Sequence, residues 1–343
     1  MQSPLFLAAT GPSAWTRHQM EIDDSWIYYF DVHDLAELQT ATDTLATRGL
    51  KPLEFGWEDF VLPQLGPKLV SLLNDIEYGR GFVLLRGLDV SQYDHDRLSL
   101  LYWGLGAHLG QVISQNSQGD LLGRVEDLEA GKYAGGGYYE EGVRGHRTNA
   151  FLAPHSDSSD VVGLLCVRPA KEGGESWIAS SIAVYNRILE IQPELLTPLM
   201  AGFKYDLAGK GRTAEEVTNN RVPVYSWHED ILSCRFNKQQ IELGAAKTGE
   251  PLTAAQVEAI ALVEDLAMSE EFLLPMIFEP GDIQLLNNHT IVHSRGGYVD
   301  WDEREKRRLL LRLWLNIPNG RPLAPAYADR LNTGGRGGVT KRL

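Results

Sequence analysis

The chain has 343 residues, of which 43% are hydrophobic and 23% charged, the balance of a folded globular protein with a sizeable core. Its 46 acidic and 32 basic residues give a net charge of −14, which repels phosphate backbones and argues against a nucleic-acid partner. Two distant cysteines, Cys166 and Cys234, form neither a disulfide framework nor a zinc site and indicate a reducing, cytoplasmic setting. We expect no signal peptide, because the apolar patch at Leu5–Thr10 is short and has no basic flank. We expect no membrane partner, because no stretch approaches the roughly 20 apolar residues that span a bilayer.

The N-terminal part of the chain is predicted to contain helices. Residues 1–20 are predicted to be an N-terminal arm, and 21–343 a single domain. Apolar residues at helical spacing predict an amphipathic helix over 62–76, and a short apolar strand follows at 82–88. Ser91 is a suitable N-cap for a second helix.

The glycine-rich stretch 130–148 predicts a long loop without regular structure. It is interpreted either as a lid over the substrate or as an ordinary surface loop. Beyond it, short apolar stretches separated by turn signals predict strands at 161–167, 177–179, 221–226, 231–236, 276–278, 283–286, 291–293 and 309–315.

Two predicted helices interrupt these strands, over 181–192 and 253–270, and Thr253 followed by Gln256 has the pattern of a capping box. Helices followed by many short strands indicate an α+β, mostly β fold. The expected architecture is a jelly-roll pair of sheets with helices packed outside.

The pattern His-x-Asp at His155 and Asp157 is a candidate metal site. Because alternate residues of a strand share a face, the imidazole and the carboxylate could bind one ion. Two histidines and one carboxylate on one face of an octahedron suit Fe(II) and leave positions for substrate oxygens and O₂. The same pattern recurs at His228, so the motif alone does not choose the site.

A third ligand could come from His289 or His293, which would share one strand face. In the strand that follows, one face carries Leu309, Leu311, Leu313 and Leu315, and the other carries Arg308, Leu310, Arg312 and Trp314. The two guanidinium groups on this second face would lie roughly 13 Å apart. Two buried guanidinium groups in a barrel interior would need anionic partners. A dicarboxylate ligand would supply them, because arginine binds a carboxylate through two hydrogen bonds.

Several segments, in this order, resemble the taurine/alpha-ketoglutarate dioxygenase family. They are Arg80-Gly-Phe-Val-Leu-Leu-Arg-Gly-Leu88, Gln115-Asn-Ser-Gln-Gly-Asp-Leu-Leu-Gly123, His155-Ser-Asp157, Gly173-Gly-Glu-Ser176, His293 and Arg308-Leu-Leu-Leu-Arg312. The likeness runs from about residue 78 to residue 316. It implies a double-stranded β-helix core of the clavaminate synthase-like type, with Fe(II), 2-oxoglutarate and O₂ as cofactor and cosubstrates.

The resemblance implies His155, Asp157 and His293 as the iron ligands. It also selects His155 over His228, because only His155 lies at the expected distance upstream of the Gly-Gly-Glu-Ser segment.

For the cosubstrate, the resemblance implies that Arg308 binds the distal carboxylate of 2-oxoglutarate. Ser176 would supply the hydroxyl group where family members commonly have threonine. Arg312 matches a second family arginine, near the C1 carboxylate and the substrate. Further residues that could reach the substrate are Asn149, Arg147 and Tyr139.

The activity implied is an Fe(II)/2-oxoglutarate-dependent dioxygenase that hydroxylates a C–H bond of a small anionic or amino-acid-like substrate, with formation of succinate and CO₂. Asp157 argues against a halogenase, whereas desaturation, ring closure and epimerisation stay open. Two other classes remain as alternatives: a cupin-like metal hydrolase or isomerase, and a non-catalytic barrel that binds a small acid. Whether the chain forms a homo-oligomer is left open.

Overall fold

The computed structural model describes residues 6–128 and 148–341. The proposed lid loop, except for its last residue, lies outside the described residues, as do Tyr139 and Arg147. The helices described are α1 (Arg17–Ile22), α2 (Val32–Thr47), α3 (Leu65–Tyr78), α4 (His95–Leu109), α5 (Ser181–Ile191), α6 (Leu196–Ala201), α7 (Lys238–Thr248), α8 (Ala254–Ala267) and α9 (Pro325–Ala328).

The strands described are β1 (Ile27–Tyr29), β2 (Phe82–Arg86), β3 (Gln111–Val112), β4 (Leu122–Val125), β5 (Leu152–His155), β6 (Val161–Arg168), β7 (Glu172–Gly173), β8 (Ser176–Ser180), β9 (Tyr225–His228), β10 (Ile231–Cys234), β11 (Leu274–Met276), β12 (Ile283–Asn287), β13 (Ile291–Arg295), β14 (Tyr298–Val299) and β15 (Leu309–Asn316).

These strands form two principal sheets. The large sheet has seven strands in the order β1-β2-β12-β6-β15-β3, with β4 also paired to β15. The small sheet has four strands in the order β11-β8-β13-β5. Within the two sheets only β1 and β2 pair in parallel, and the other pairs are antiparallel. The hairpin β9–β10 and the pair β7–β14 complete the described strands.

Helices cover the outer face of each sheet. Alternate leucines of β15 (Leu311, Leu313 and Leu315) are buried against leucines of α3 and α4, as the strand pattern predicted. On the small sheet, α5 and α8 pack over the face that carries Ala179 of β8 and Val292 of β13. Burial of apolar side chains on both outer faces leaves the inner faces free to meet each other.

A third apolar cluster lies between the two sheets. Val162 and Trp314 of the large sheet contact the same cluster as Ile178 and Ile291 of the small sheet. The molecule is therefore a mixed α/β structure in which two sheets face each other between helical layers. The candidate site lies in the space between these sheets.

Most predicted elements occur within a few residues of their expected positions, and Thr253 forms the predicted capping box of α8. Ser91 as a helix N-cap was wrong: it lies in a short 3-10 turn, and α4 is capped by Asp94, whose carboxylate accepts from Arg97 N. The strand predicted over 221–226 begins only at Tyr225. Pro223 lacks the N–H that a continuous ladder requires.

The sequence interpretation missed two of the longer helices, α2 and α7, and the short helices α1, α6 and α9. The capping pattern of Asp31 and Asp34 could have indicated α2, because Asp31 accepts from two backbone amides of its first turn.

The predicted arm packs against the body within its described part: Trp15 is buried, and its indole N–H donates to the carbonyl of Arg80 at 2.8 Å. Among the described residues, none of the helices has the length and apolarity needed to cross a bilayer.

Candidate metal centre

The three residues predicted as iron ligands, His155, Asp157 and His293, lie close together in the space between the sheets. His155 is the last residue of β5, and it pairs directly with His293 at the centre of β13. Their ring centroids are 4.3 Å apart. One donor atom from each of His155, Asp157 and His293 lies within 4.8 Å of the other two, a spacing that can hold a metal ion.

A loop, not the pleat of a strand, brings Asp157 to the cluster, which corrects the prediction that it shares a strand face with His155. After β5 ends at His155, Ser156 N donates to the carbonyl of Phe236 at 2.8 Å. Asp157 N then donates to Oδ1 of Asn288 at 2.9 Å. The loop leaves Oδ1 of Asp157 4.0 Å from Nε2 of His155.

The protonation states at the cluster suit metal binding. Burial, with the neighbouring His155, lowers the pKa of His293 to about 3. Burial also lowers the pKa of His155, whose Nδ1 contacts the carbonyl of Ala153 at 2.8 Å and leaves Nε2 on the side of the cluster. Burial opposes ionisation of Asp157, but Arg312, the two histidines and Lys210 together outweigh it and hold the pKa of that carboxyl below its usual range. Neutral imidazoles and an ionised carboxylate are the forms that coordinate metals.

The two competing histidines lie elsewhere. His228 is on the β9–β10 hairpin, where its side chain is 38% exposed. His289 does not share a strand face with His293, because it lies in the turn between β12 and β13. Its Nε2 is 2.8 Å from Oδ1 of Asp160, a buried carboxylate that also accepts from Arg336 at 2.7 Å. This hydrogen bond explains why His289 is buried away from the cluster.

The buried His289 should make the stability of the metal-free protein depend on pH. Burial lowers its pKa from 6.5 to about 4, although Asp160 acts in the opposite direction. Below pH 6.5 the unfolded chain binds a proton that the folded protein takes up only near pH 4, so acid favours unfolding in this window. The contribution lost between pH 7 and pH 4 is on the order of 3 kcal/mol. Urea unfolding should therefore give a free energy of unfolding that changes less with pH in His289→Gln than in wild type. Equal pH dependence of this free energy in the two proteins would contradict the role assigned to His289.

Arg308 lines the same cavity as His155, Asp157 and His293, the candidate metal-binding cluster. Its side chain is buried, and its Nη1 has no hydrogen-bond partner. The guanidinium carbon lies 5.0 Å from the ring centroid of Tyr298, and burial lowers the pKa of Arg308. A buried guanidinium with an unpaired N–H is suited to an incoming carboxylate.

The Gly-Gly-Glu-Ser segment places Ser176 in the same cavity as this arginine. Gly173 and Gly174 both take positive φ, and a Cβ on Gly174 would lie only 3.3 Å from Nε of Arg308. The glycines thus allow the backbone to approach the guanidinium closely. Ser176 begins β8, is buried, and contacts the amide of Gln284 at 3.3 Å.

Arg312 lies on β15 and lines the same cavity. Its Nε donates to Oε1 of Gln115 at 2.7 Å, and its Nη1 is 3.9 Å from Oδ2 of Asp157. Its guanidinium carbon is 5.1 Å from the ring centroid of Trp314, and Nζ of Lys210 is 5.7 Å from the same centroid. Two cations therefore flank one indole beside the carboxylate of the cluster.

The structure brings together six of the predicted site residues in one cavity. Those lining it are His155, Asp157, His293, Arg308, Ser176 and Arg312. Asn149 is exposed and does not line the described cavity; its carbonyl accepts from Tyr298 N at 3.0 Å.

Sequence reasoning assigned no role to several residues that contact the site. Gln115 was part of a family-like segment, which was the only signal for it, and Trp314 was noted on the arginine face of its strand. Lys210 and Asn288 carried no signal, because the residues that they contact, Trp314 and Asp157, are remote from them in sequence. Arg295 lies two residues after His293 and lines the same cavity, but the carbonyl that accepts from it, that of Thr148, is remote in sequence.

Two histidines and one carboxylate with open coordination positions are the donor set of non-haem Fe(II) oxygenases. The same cavity holds a buried arginine suited to a dicarboxylate. Fold and site together define an oxygenase that depends on Fe(II) and 2-oxoglutarate.

The model of the family described as "Taurine catabolism dioxygenase TauD, TfdA family" matches residues 46–314. The chain belongs to this family. It is 33% identical over 315 residues to FR-33289 synthase of Streptomyces rubellomurinus (strain ATCC 31215), an alignment that covers 91% of each chain.

Solved structures share the fold. An asparagine oxygenase in complex with Fe(II), 2S,3S-3-hydroxyasparagine and succinate matches with a TM-score of 0.64 and 16% identity, covering 85% of this chain and 93% of that one. The non-heme iron oxygenase OrfP, in complex with Fe and L-Arg, matches with a TM-score of 0.57 and 14% identity, covering 85% and 94%. OrfP has also been solved with Fe and alpha-ketoglutaric acid.

Proposed function

We propose that this enzyme hydroxylates a C–H bond of a small, amino-acid-like acid, and that His155, Asp157 and His293 hold its Fe(II). The observation that carries the proposal is one cavity lined both by the three-residue metal-binding cluster and by the buried Arg308 with an unpaired Nη1. A metal-binding set alone would suit many reactions. The buried guanidinium of Arg308 beside this set is suited to bind a second ligand with a carboxylate, and this favours the oxygenase.

The residues present fit the metal. Nε2 of His155 and Oδ1 of Asp157 face each other at 4.0 Å, wide enough for one ion between them. When bound, Fe(II) with 2-oxoglutarate supplies the oxidising chemistry: O₂ is consumed, 2-oxoglutarate becomes succinate and CO₂, and a substrate C–H hydrogen is replaced by hydroxyl. The protein positions the reactants and excludes water.

Arg308 and Ser176 would bind the far carboxylate of 2-oxoglutarate. The guanidinium can donate two parallel hydrogen bonds, and the serine hydroxyl can add a third. Apolar side chains complete this part of the cavity and keep water from the bound carboxylate; they include Val125, Leu164, Phe278 and Leu310.

Arg312 and Lys210 would bind the acid group of the substrate. Both cations lie within 6 Å of the centroid of the Trp314 ring, next to the metal-binding carboxylate. Gln115 fixes the direction of Arg312, because it accepts from Nε and its amide donates to the carbonyl of Arg312 at 2.8 Å. The amino acids bound to asparagine oxygenase and OrfP favour an amino-acid-like substrate.

The fold proposal follows from the two facing sheets. We propose that they form a double-stranded β-helix (jelly-roll, clavaminate synthase-like), because the metal-binding cluster lies between them and helices cover the outer faces. A single domain over 21–343 is favoured because β2 and β12, far apart in sequence, pair within the large sheet.

The first test of the proposed function is spectroscopic. Fe(II) and then 2-oxoglutarate are added anaerobically to the metal-free protein, and the visible metal-to-ligand charge-transfer band is recorded. The band should form in wild type and be lost in His155→Ala. A protein that binds Fe(II) but forms no band would favour a metal hydrolase or isomerase, or a binding barrel, in place of an oxygenase.

Replacing Ser176 with alanine should weaken 2-oxoglutarate binding by up to about 10-fold, because one hydrogen bond contributes about 0.5–1.5 kcal/mol. Ser176→Thr keeps the hydroxyl and should retain wild-type affinity. The dissociation constant from the charge-transfer titration measures both variants. If Ser176→Ala and Ser176→Thr weakened 2-oxoglutarate binding equally, the effect would come from altered packing and not from the hydrogen bond.

Replacing Arg312 with alanine should impair substrate binding more than 2-oxoglutarate binding. Loss of one charged hydrogen-bond donor costs about 1.5–3 kcal/mol, or roughly 10- to 150-fold in the KM of an acidic substrate. A panel of amino acids assayed for stimulated 2-oxoglutarate consumption would first identify that substrate. An unchanged substrate KM with a raised KM for 2-oxoglutarate would refute the assignment.

A further inference from the structure

Trp314 makes a direct hydrogen bond to the carboxylate of the metal-binding cluster. The indole N–H donates to Oδ2 of Asp157 at 2.8 Å. This N–H is the only hydrogen-bond donor that an indole has. Trp314 is 2% exposed, so the bond is shielded from competition by water.

The two oxygens of Asp157 have different surroundings. Oδ1 is the oxygen that faces Nε2 of His155, at 4.0 Å. Oδ2 is the acceptor of the Trp314 bond, and Arg312 approaches the same oxygen at 3.9 Å. The side chain is therefore held with one oxygen toward the cluster and the other toward β15.

The donor is itself held firmly. Trp314 is paired in register with Val162 of β6 and belongs to the apolar cluster between the sheets. Lys210 and Arg312 both lie near its ring. Because the indole is packed between a neighbouring strand and two cations, it has little freedom to follow a rotating carboxylate.

We propose that Trp314 is a positioning residue that holds Asp157 as a ligand through Oδ1 alone. This inference rests on the proposed function, in which the cluster binds Fe(II). A free carboxylate can coordinate through one oxygen or through both. A hydrogen bond that occupies Oδ2 favours the one-oxygen mode and keeps a further coordination position for 2-oxoglutarate and O₂.

The test replaces the indole N–H and measures metal binding in the absence of turnover. Trp314→Phe keeps an aromatic ring but removes the donor, and it should weaken Co(II) binding by about 10- to 100-fold, the usual effect of losing such a partner. The absorption spectrum of the Co(II)-loaded protein should also change, because a two-oxygen carboxylate alters the ligand field. Titration with Co(II) and the visible spectrum provide the two readouts.

Two further variants keep the test decisive. Trp103→Phe is the matched control, because Trp103 is also buried and its indole N–H donates to the carbonyl of Phe55 at 3.3 Å, outside the metal-binding cavity. It should leave Co(II) affinity and spectrum unchanged. If Trp314→Phe does not fold, 3-benzothienylalanine at position 314 keeps the shape of the indole and replaces only its N–H by sulfur.

Wild-type affinity and spectrum in Trp314→Phe or in the benzothienyl variant would overturn the proposal, as would equal effects in Trp103→Phe. Lower thermal stability together with unchanged metal binding would also overturn it, since that result describes packing alone. Failure of the proposed function is separate: wild-type Co(II) binding that does not weaken in His155→Ala would show that the metal lies elsewhere.

Discussion

Replacing His293 with alanine is expected to lower Fe(II) affinity and turnover by more than about 100-fold. Loss of a residue that only supports a ligand costs about 10- to 100-fold, and removal of a ligand should exceed that range. His293 pairs across the strands with His155, so no other described histidine can take its place without moving β13. Equilibrium titration of the metal-free variant with Fe(II) under anaerobic conditions gives the affinity, and 2-oxoglutarate consumption gives the turnover.

Two other histidines serve as controls. His228→Ala should keep wild-type affinity, because this half-exposed residue lies on the β9–β10 hairpin. His289→Gln should lower stability, because His289 contacts the buried Asp160, but its folded fraction should still bind Fe(II). If His289→Gln lost the metal and His293→Ala kept it, the choice of the distal ligand would be wrong.

Replacing Arg308 with leucine is expected to produce the largest loss in cosubstrate affinity. Truncating one partner of a buried, hydrogen-bonded charge pair costs about 2–5 kcal/mol, which corresponds to roughly 30- to 5,000-fold in the dissociation constant of 2-oxoglutarate. Fe(II) affinity in the absence of 2-oxoglutarate should change little, since Arg308 is not one of the three candidate metal ligands. The measurement is the charge-transfer titration with 2-oxoglutarate at saturating Fe(II).

The 2-oxoglutarate affinity of Arg308→Lys should lie between those of wild type and Arg308→Leu, because an ammonium group keeps the charge but loses the two parallel hydrogen bonds. The neighbouring Arg307→Leu is the matched control. Arg307 donates to the carbonyls of Trp301 and Asp302 and does not line the cavity. Wild-type affinity in Arg308→Leu would remove the reason for placing 2-oxoglutarate beside this residue.

The expected roles of the two arginines differ because their surroundings differ. Arg308 has a buried nitrogen without a partner, whereas Nε of Arg312 is already bonded to Gln115. Arg312 also lies 3.9 Å from Oδ2 of Asp157, a candidate metal ligand, and helps to hold the pKa of that carboxyl low. These differences favour Arg308 as the cosubstrate anchor and Arg312 as a contact for substrate.

Local spacing in the sequence determined which face of β15 packs under helices, where α8 begins and which residues are candidates for the site. The alternation of leucines in β15 predicted which face packs under helices, because side chains of a strand alternate between its two faces. The capping box at Thr253 is likewise a short-range pattern and occurs as predicted. The family-like order of motifs selected His155 over His228, and the sequence likewise indicated that Arg308 and Arg312 share a face.

Only the tertiary structure decided how these parts meet. The positions of His289 and His293 depend on where β12 turns into β13, and the separation of their roles depends on Asp160, 129 residues away from His289. Trp314 contacts Asp157 across 157 positions, and Asn288 contacts it across 131. Hydrogen bonds between such remote residues leave no periodic signal, because they form only after the two sheets have packed face to face.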